Sequence, residues 1–344
     1  MHVSMGISHY IKDIGRGARG AKPLVRAHAC DLFGQLLDGR VSDLETGAFC
    51  LAMRIKGETP EELAGFLDAT HARLARLPAT ARPLVVLPSY NGARRLPMLT
   101  PLLALLLARE GLPVLVHGAA TEAGRVLSSD VLLALGVHVM SAIKTIANGE
   151  VAFAPTGLLN PGLQQLLDVR RVIGLRNPAH SVVKLMQPCE GACVVVASYT
   201  HAEYARTMAA TFELMGMTAL LSRGIEGESV ADPRRTAQVE GFVRGKHRLL
   251  QAQQPGTLAA VPGLPQAIDI GTTADYTRRV LAGEVPVPEA IARQVRQIVR
   301  LAELAQLPES ADTADGASAT TGPDAALAGV PAPPDSPAPA PAGP

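Results

Sequence analysis

The chain has no tryptophan, and aromatic residues make up 3% of its 344 residues. A protein that holds single strands by stacking bases on a row of rings needs more rings than this, so Tyr90, Tyr199 and Tyr204 are the few candidates. Cysteine is scarce too. Cys30, Cys50, Cys189 and Cys193 are too few and too scattered for a disulfide scaffold, and Cys189 with Cys193 lacks the second ligand pair of a zinc site. They read as small buried hydrophobes. The longest apolar run, LTPLLALLLA from Leu99, falls short of the roughly 20 residues of a membrane span, and no basic segment with a cleavage site opens the chain. A soluble, cytoplasmic protein without a membrane partner is expected. Nucleophile elbow, dinucleotide fingerprint and zinc signature are all missing, and the nine histidines have no ligand spacing.

What is present is a large apolar fraction, 47%, enough for one large domain or two coupled ones. The organising stretch is 84–137. LVVL and PVLV are short apolar runs without polar alternation, as expected of parallel strands covered on both faces. Between them Thr100 is placed to cap a helix, Pro101 suits its first turn, and Gly111 ends it. Ligands of open parallel sheets sit beyond the carboxyl ends of the strands, so the loops PSYNGARR (88–95) and HGAATEAGR (117–125) carry the functional question.

Residues 6–79 read as helical, with capping boxes at Ser42/Glu45 and Thr59/Glu62. GRGARGAK (15–22) approaches a phosphate-binding loop. It ends in Ala-Lys instead of Lys-Ser/Thr and follows a helix instead of a strand, so it reads as a basic loop with Arg16, Arg19 and Lys22. VAFAP (151–155), ACVVVAS (192–198) and TALLS (218–222) read as further strands, and NPGLQQLLDVRRVIG as a helix capped by Asn160. The run ADPRRTAQVEGFVRGKHRLLQ reads as a solvated basic face, and 288–307 as an amphipathic helix. After Pro308 the composition turns to Ala, Pro, Gly, Ser, Thr and Asp, an acidic tail expected to be disordered. The formal charge of +1 conceals an asymmetry: residues 1–308 hold all 32 basic residues against 26 acidic ones, a net of +6. Arginine dominates, and its fork suits phosphate.

The frame LVVL, loop, helix, PVLVHG, loop, SSDVLLALGV, with LAMRIKGETPEELAGF before it, resembles the anthranilate phosphoribosyltransferase and nucleoside phosphorylase superfamily, glycosyltransferase family 3. In that family the first loop is a Gly-Thr-Gly-Gly-Asp type turn, the second opens Lys-His-Gly-Asn, and an Asp-Glu pair holds magnesium on the diphosphate. Here the first loop has one glycine, Val116 precedes His117 and Gly118, and Glu226 and Glu228 are split by Gly227. These loops resemble the YbiB-type, TrpD-like branch, a nucleic-acid-binding group.

The resemblance implies an α/β, parallel-sheet phosphorylase/phosphoribosyltransferase-like domain over 81–308. It also implies a small N-terminal helical domain, 1–80 joined by about 159–188, through which two chains form a homodimer. FAP (153–155), VRR (169–171), Gly174 and Arg176 match the family's return into the helical domain, where an arginine of VRR faces the substrate carboxylate in the synthesising enzymes.

With three parts of the diphosphate machinery altered, the expected function is binding of DNA or RNA with little sequence preference. Lys144, Arg170, Arg171, Arg176, Lys184, Arg223, Arg234 and Arg235 are the candidate cations. Ser89, Tyr90, Asn91, Gly92, Arg94, His117 and Gly118 would form a residual anion pocket. The expected site has no catalytic residue and no cofactor, with Glu226 and Glu228 as weak metal candidates and magnesium required only if transfer survives. The alternatives are a magnesium-dependent phosphoribosyltransferase and a small-anion sensor that binds a protein partner.

Overall fold

The computed structural model describes residues 6–17, 19–121 and 124–308; the acidic segment 309–344 lies outside the described residues. Four helices come first: α1 (Ser8–Ile14), α2 (Arg26–Leu37), α3 (Asp43–Lys56) and α4 (Pro60–His71). Both capping boxes form. Ser42 Oγ accepts from Glu45 N at 3.3 Å and Thr59 Oγ1 from Glu62 N at 3.2 Å, while each glutamate accepts the cap amide in return. Each box satisfies two donors that the first turn would leave open. Phe33, Phe49 and Phe66 fill the centre of this layer, with Phe33 stacked on Phe66 at 4.7 Å and Phe49 edge-on to Phe66 at 6.0 Å between ring centroids.

The sheet begins with β1 (Leu84–Ser89), α5 (Thr100–Arg109), β2 (Val114–Gly118), α6 (Ser128–Ala134) and β3 (Val151–Pro155). Then come α7 (Thr156–Leu159), α8 (Pro161–Ile173) and α9 (Ala179–Val182), of which α8 packs on α2 and α9 on α4. Asn160 caps α8, its Oδ1 accepting from Leu163 N at 2.9 Å. The chain continues through β4 (Cys193–Tyr199), α10 (Ala202–Leu214), β5 (Ala219–Arg223), β6 (Val239–Val243) and β7 (Lys246–Gln251), and ends with α11 (Ile270–Leu281) and α12 (Glu289–Gln306). The strand order is β3-β2-β1-β4-β5-β6-β7, with β1 to β5 parallel and β6 and β7 antiparallel.

Alternate residues of the central strands serve opposite layers. Leu84, Val86, Val195 and Leu221 share a core with the phenylalanines, whereas Val85, Leu87, Val194 and Val196 share one with Leu103, Leu107, Ile298 and Leu301. That double covering explains the unbroken apolar runs.

Three local expectations change. Thr100 does not cap α5; Leu99 occupies that position, and the buried Thr100 hydroxyl turns toward Glu228. His117 and Gly118 belong to β2, paired with Pro88 and Ser89 of β1, so the second loop starts after them. The basic run is a hairpin as well as a face. Arg244 and Gly245 have φ of 47° and 80°, the two left-handed residues of a tight hairpin turn, and Val243 pairs with Lys246. Among the described residues no helix is long and apolar enough to cross a membrane.

From β1 the chain winds outward through β2 and β3 and then returns to β4 on the other side of β1. That reversal opens a crevice beyond the carboxyl ends of β1 and β4.

Candidate functional site

The loop after β1 meets the segment after β5. Glu228, buried, places Oε1 2.8 Å from Asn91 N and 2.9 Å from Gly92 N, while Oε2 accepts from Ser89 Oγ at 2.5 Å and from Thr100 Oγ1 at 3.3 Å. Glu226 Oε2 accepts from Arg94 N at 2.8 Å and Arg95 N at 2.9 Å. Ala93 N donates to Val126 O at 2.8 Å. Five consecutive amides, 91–95, therefore all have internal acceptors, and four of them face carboxylates of the same chain. Concave amide arrays of this type bind anions; here the anions are built in.

The geometry is held from both sides. Asn91 Nδ2 donates to Glu226 O at 2.8 Å, and Arg176 Nη2 donates to Asn91 Oδ1 at 2.9 Å. Arg125 Nη1 reaches Asn91 O at 3.0 Å, and Ser229 Oγ reaches Pro88 O at 2.7 Å. Gly227 has φ of +86°, and a Cβ there would lie 2.0 Å from Asn91 Nδ2, so only glycine fits between the two glutamates. Glu226 itself has φ of 50°, a left-handed conformation that a glutamate adopts only where its surroundings impose it.

Of the expected anion pocket, Ser89, Asn91 and Gly92 are committed to Glu228, and the exposed Arg94 donates its amide to Glu226. Tyr90 and His117 lie beneath the loop in the core, with Tyr90 Oη 2.8 Å from both His117 Nδ1 and Thr156 Oγ1. Burial alone pulls the His117 pKa down to about 3. Gly118 lets β2 pass Ser89 closely, since a Cβ would fall 2.1 Å from Ser89 O. Glu226 and Glu228, the weak metal candidates, are the two carboxylates that hold the loop. Among the described residues no group of three or more His, Cys, Asp or Glu is arranged to hold a metal.

Beside this loop a cavity of about 730 Å³ opens between the end of α3, the 176–184 segment and the start of α10. Arg54, Arg176 and Lys184 line it together with Tyr199 and Tyr204. Lys184 Nζ donates to Gly227 O at 3.2 Å and Ser198 O at 3.5 Å. Burial and the neighbouring Arg176 lower its pKa to about 8, against the pull of Glu228. His180 is held neutral, its pKa lowered to about 3 by burial and then by Arg176, with smaller pushes from Arg170 and Lys184. Arg170, Arg176 and Lys184 are thus neighbours, and Arg223 stands opposite Tyr199 in the sheet register.

The other candidate cations sit elsewhere. Arg171 is exposed, pairs with Asp168 at 3.3 Å and donates to Ala120 O at 3.0 Å. Lys144 pairs with Glu150 at 3.8 Å, and Arg234 and Arg235 pair with Asp232 at 2.9 and 3.9 Å. Sequence reading missed Arg54, Arg125 and Ser128, whose Oγ lies 2.7 Å from Ser89 Oγ. Arg125 fell within a loop singled out for function, but nothing in its spacing points at Asn91.

Comparison with known proteins follows the same outline. Residues 8–73 match the helical bundle domain of the glycosyl transferase family. The chain is 39% identical over 292 residues to YbiB of Escherichia coli strain K12, covering 83% of this chain and 91% of that protein. It is 28% identical over 271 residues to an anthranilate phosphoribosyltransferase of Salinispora arenicola, covering 75% and 76%. The crystal structure of anthranilate phosphoribosyltransferase from Thermus thermophilus matches with a TM-score of 0.64 at 24% identity, over 86% of this chain and 88% of that one, which is a likeness of fold.

Proposed function

The chain belongs to the YbiB family within the anthranilate phosphoribosyltransferase and glycosyltransferase family 3 superfamily, and from that footing we propose that it binds DNA or RNA with little sequence preference and does not transfer phosphoribosyl groups. The observation that carries this reading is the loop whose amides are already taken by Glu226 and Glu228. A diphosphate entering there must displace both carboxylates. Hydrogen bonds to charged groups contribute roughly 1.5–3 kcal/mol each. The bonds holding the two glutamates are together worth at least as much as the roughly 8 kcal/mol with which a micromolar ligand binds. Displacement therefore cancels the affinity that would drive it.

Magnesium meets the same obstacle. A hard cation on a diphosphate needs carboxylate oxygens free to coordinate it, and both oxygens of Glu228 and Oε2 of Glu226 already accept N–H or O–H bonds. The donor set does not fit the metal.

What the scaffold offers instead is cationic surface. Residues 1–308 carry a net +6, Arg54, Arg176 and Lys184 share one cleft, and Arg94, Arg95 and Arg223 are exposed. Contacts to phosphate position a strand without reading its sequence. A homodimer through the helical layer would double the cationic surface into a longer track, and α3 has an exposed apolar face suited to that pairing.

Fluorescence anisotropy with unrelated oligonucleotides over a range of salt tests the proposal. The expected result is similar affinity for different sequences and a steep loss with salt, a log–log slope of about −0.9 per phosphate neutralised on a duplex and about −0.7 on a single strand. Absence of binding at low salt, or magnesium-dependent binding of phosphoribosyl diphosphate by calorimetry, overturns it.

A further inference from the structure

We infer that Cys189 and Cys193 form a redox-modifiable dithiol, closed to an intrachain disulfide by a hydroperoxide and reopened by a dithiol reductant, a property independent of nucleic-acid binding. All four cysteines are free thiols. Cys30 and Cys50 lie in α2 and α3, and burial raises the pKa of both, Cys50 to about 11. Cys189 and Cys193 stand together just ahead of β4 and at its first residue. The chain bends at Glu190 and Gly191, and the thiol of Cys193 is hydrogen-bonded to that of Cys189. Their other neighbours are polar: Cys189 Sγ lies 3.4 Å from Gly191 O, and Gln187 Nε2 donates to Cys193 Sγ at 3.4 Å. Thiols that served only as small hydrophobes would need none of these partners.

The loop is fixed and lies near the surface. Leu77 N donates to Pro188 O at 2.9 Å and Glu190 N to Leu77 O at 3.0 Å, which ties it to the segment leading into β1. Glu190 and Ala192 are exposed, and Cys189 and Cys193 keep 6% and 5% exposure against 0% for Cys50. A small peroxide therefore has a short path to the sulfurs. The hydrogen bond from Cys193 lowers the Cys189 pKa; burial opposes this, and Gly191 and Arg76 add to it. The thiolate is the form that attacks a peroxide. Cys189 sulfur bonds to one peroxide oxygen, the O–O bond breaks, and the departing oxygen takes the proton that Cys189 released, leaving as water or an alcohol. Cys193 is held protonated chiefly by its bond to Cys189 and then by burial. The first restraint ends once Cys189 is a neutral sulfenic acid. Cys193 sulfur then attacks Cys189 sulfur, the S–O bond breaks, and the hydroxyl leaves with the Cys193 proton as water. In sum the two thiols give two electrons and two protons to the peroxide.

The test treats the folded full chain with hydrogen peroxide, denatures it, counts its thiols with a chromogenic disulfide reagent and maps its peptides by mass spectrometry. Two of the four thiols should be lost, the chain should be lighter by two hydrogen atoms, and the new bond should map to Cys189 and Cys193. Dithiothreitol should restore all four. Cys193→Ser should stop at the sulfenic acid of Cys189, trapped by dimedone, and Cys189→Ser should leave Cys193 reduced. The parent chain alone decides whether the bond forms, whether or not either variant folds. Retention of all four thiols, or oxidation that reaches Cys30 or Cys50 as readily, overturns the dithiol. So does a Cys189 that runs on to sulfinic acid while Cys193 stays unpaired. None of these outcomes bears on nucleic-acid binding, which the salt titrations test separately.

Discussion

Glu228 Oε2 sits 2.5 Å from Ser89 Oγ across 139 residues of sequence, and its other oxygen takes the amides of Asn91 and Gly92. This carboxylate occupies a row of amides of the kind that otherwise faces an anion. Removing it leaves a buried set of donors without an acceptor, at a cost of roughly 1–3 kcal/mol for each group left unpaired. Glu228→Ala is therefore expected to lose about 3 kcal/mol, with water replacing part of the lost bonding, and to melt several degrees lower. The vacated donors should then accept an added anion. Inorganic phosphate should raise the melting temperature of Glu228→Ala well beyond any rise in the parent protein. An equal rise in both would show that the loop is not the anion's seat.

Lys184 gives a second handle. With a pKa lowered to about 8, it is charged at pH 7 and loses that charge on going to pH 9. The groups facing it are Arg176, Glu228 and the neutral His180. Nucleic-acid affinity at constant ionic strength should fall across that interval, with the salt slope shrinking by about one phosphate contact. Stability runs the other way: the unfolded lysine near pH 10.5 binds the proton more tightly than the folded one, so this group adds stability as pH rises through 8 toward 10.5. Lys184→Arg should abolish the affinity change, and a pH profile unaltered by that substitution would remove Lys184 from the interface.

Acid should destabilise the fold through three histidines. Burial lowers His71 to about 4 with help from Arg76, and lowers His117 and His180 to about 3. Each has a folded pKa below its unfolded value near 6.5, so the unfolded chain takes up protons first and stability falls as pH drops below about 6.5. Each contributes up to roughly 1.4 kcal/mol per pH unit in that window. Denaturant titrations between pH 7 and 4.5 should show proton uptake on unfolding that approaches three. Uptake near zero would mean that these imidazoles are wetter than their packing indicates.

These expectations draw unevenly on what the sequence discloses. The capping boxes at Ser42 and Thr59 were legible because all their atoms lie within one turn. The strands were legible because two-sided burial leaves an apolar run. The hairpin was not: Arg244-Gly245 is not one of the common turn pairs, and the exposed side chains of β7 mask its pairing with β6. Helix α11 was missed although Asp269 caps it, accepting from Thr272 N at 2.7 Å. Net charge was legible but its placement was not, since Lys144 and Arg234 are matched to Glu150 and Asp232. Least legible was the union of Ser89 with Glu228, because no local pattern links residues that meet only after the whole sheet is wound.

Helix α3 supplies the last expectation. Its inner face buries Phe49, Cys50 and Met53, yet Leu44, Leu51 and Ile55 remain 84%, 49% and 56% exposed. Spacings of seven and four residues put those three on one outer stripe. Scattered exposed leucines are ordinary, but an apolar stripe on a helix that already has an apolar inner face points to a partner surface. Leu44→Glu with Leu51→Glu should leave the fold within about 0.5 kcal/mol of the parent, as substitutions at exposed positions do, while placing two buried charges in any interface built on the stripe. Light scattering after size exclusion should then report twice the 35.9 kDa chain mass for the parent and the single mass for the variant. The variant should also show a shallower salt slope on long DNA, because each particle then presents one cationic cleft instead of two. A parent that stays at the single mass at tens of micromolar would remove the dimer, and the doubled track with it.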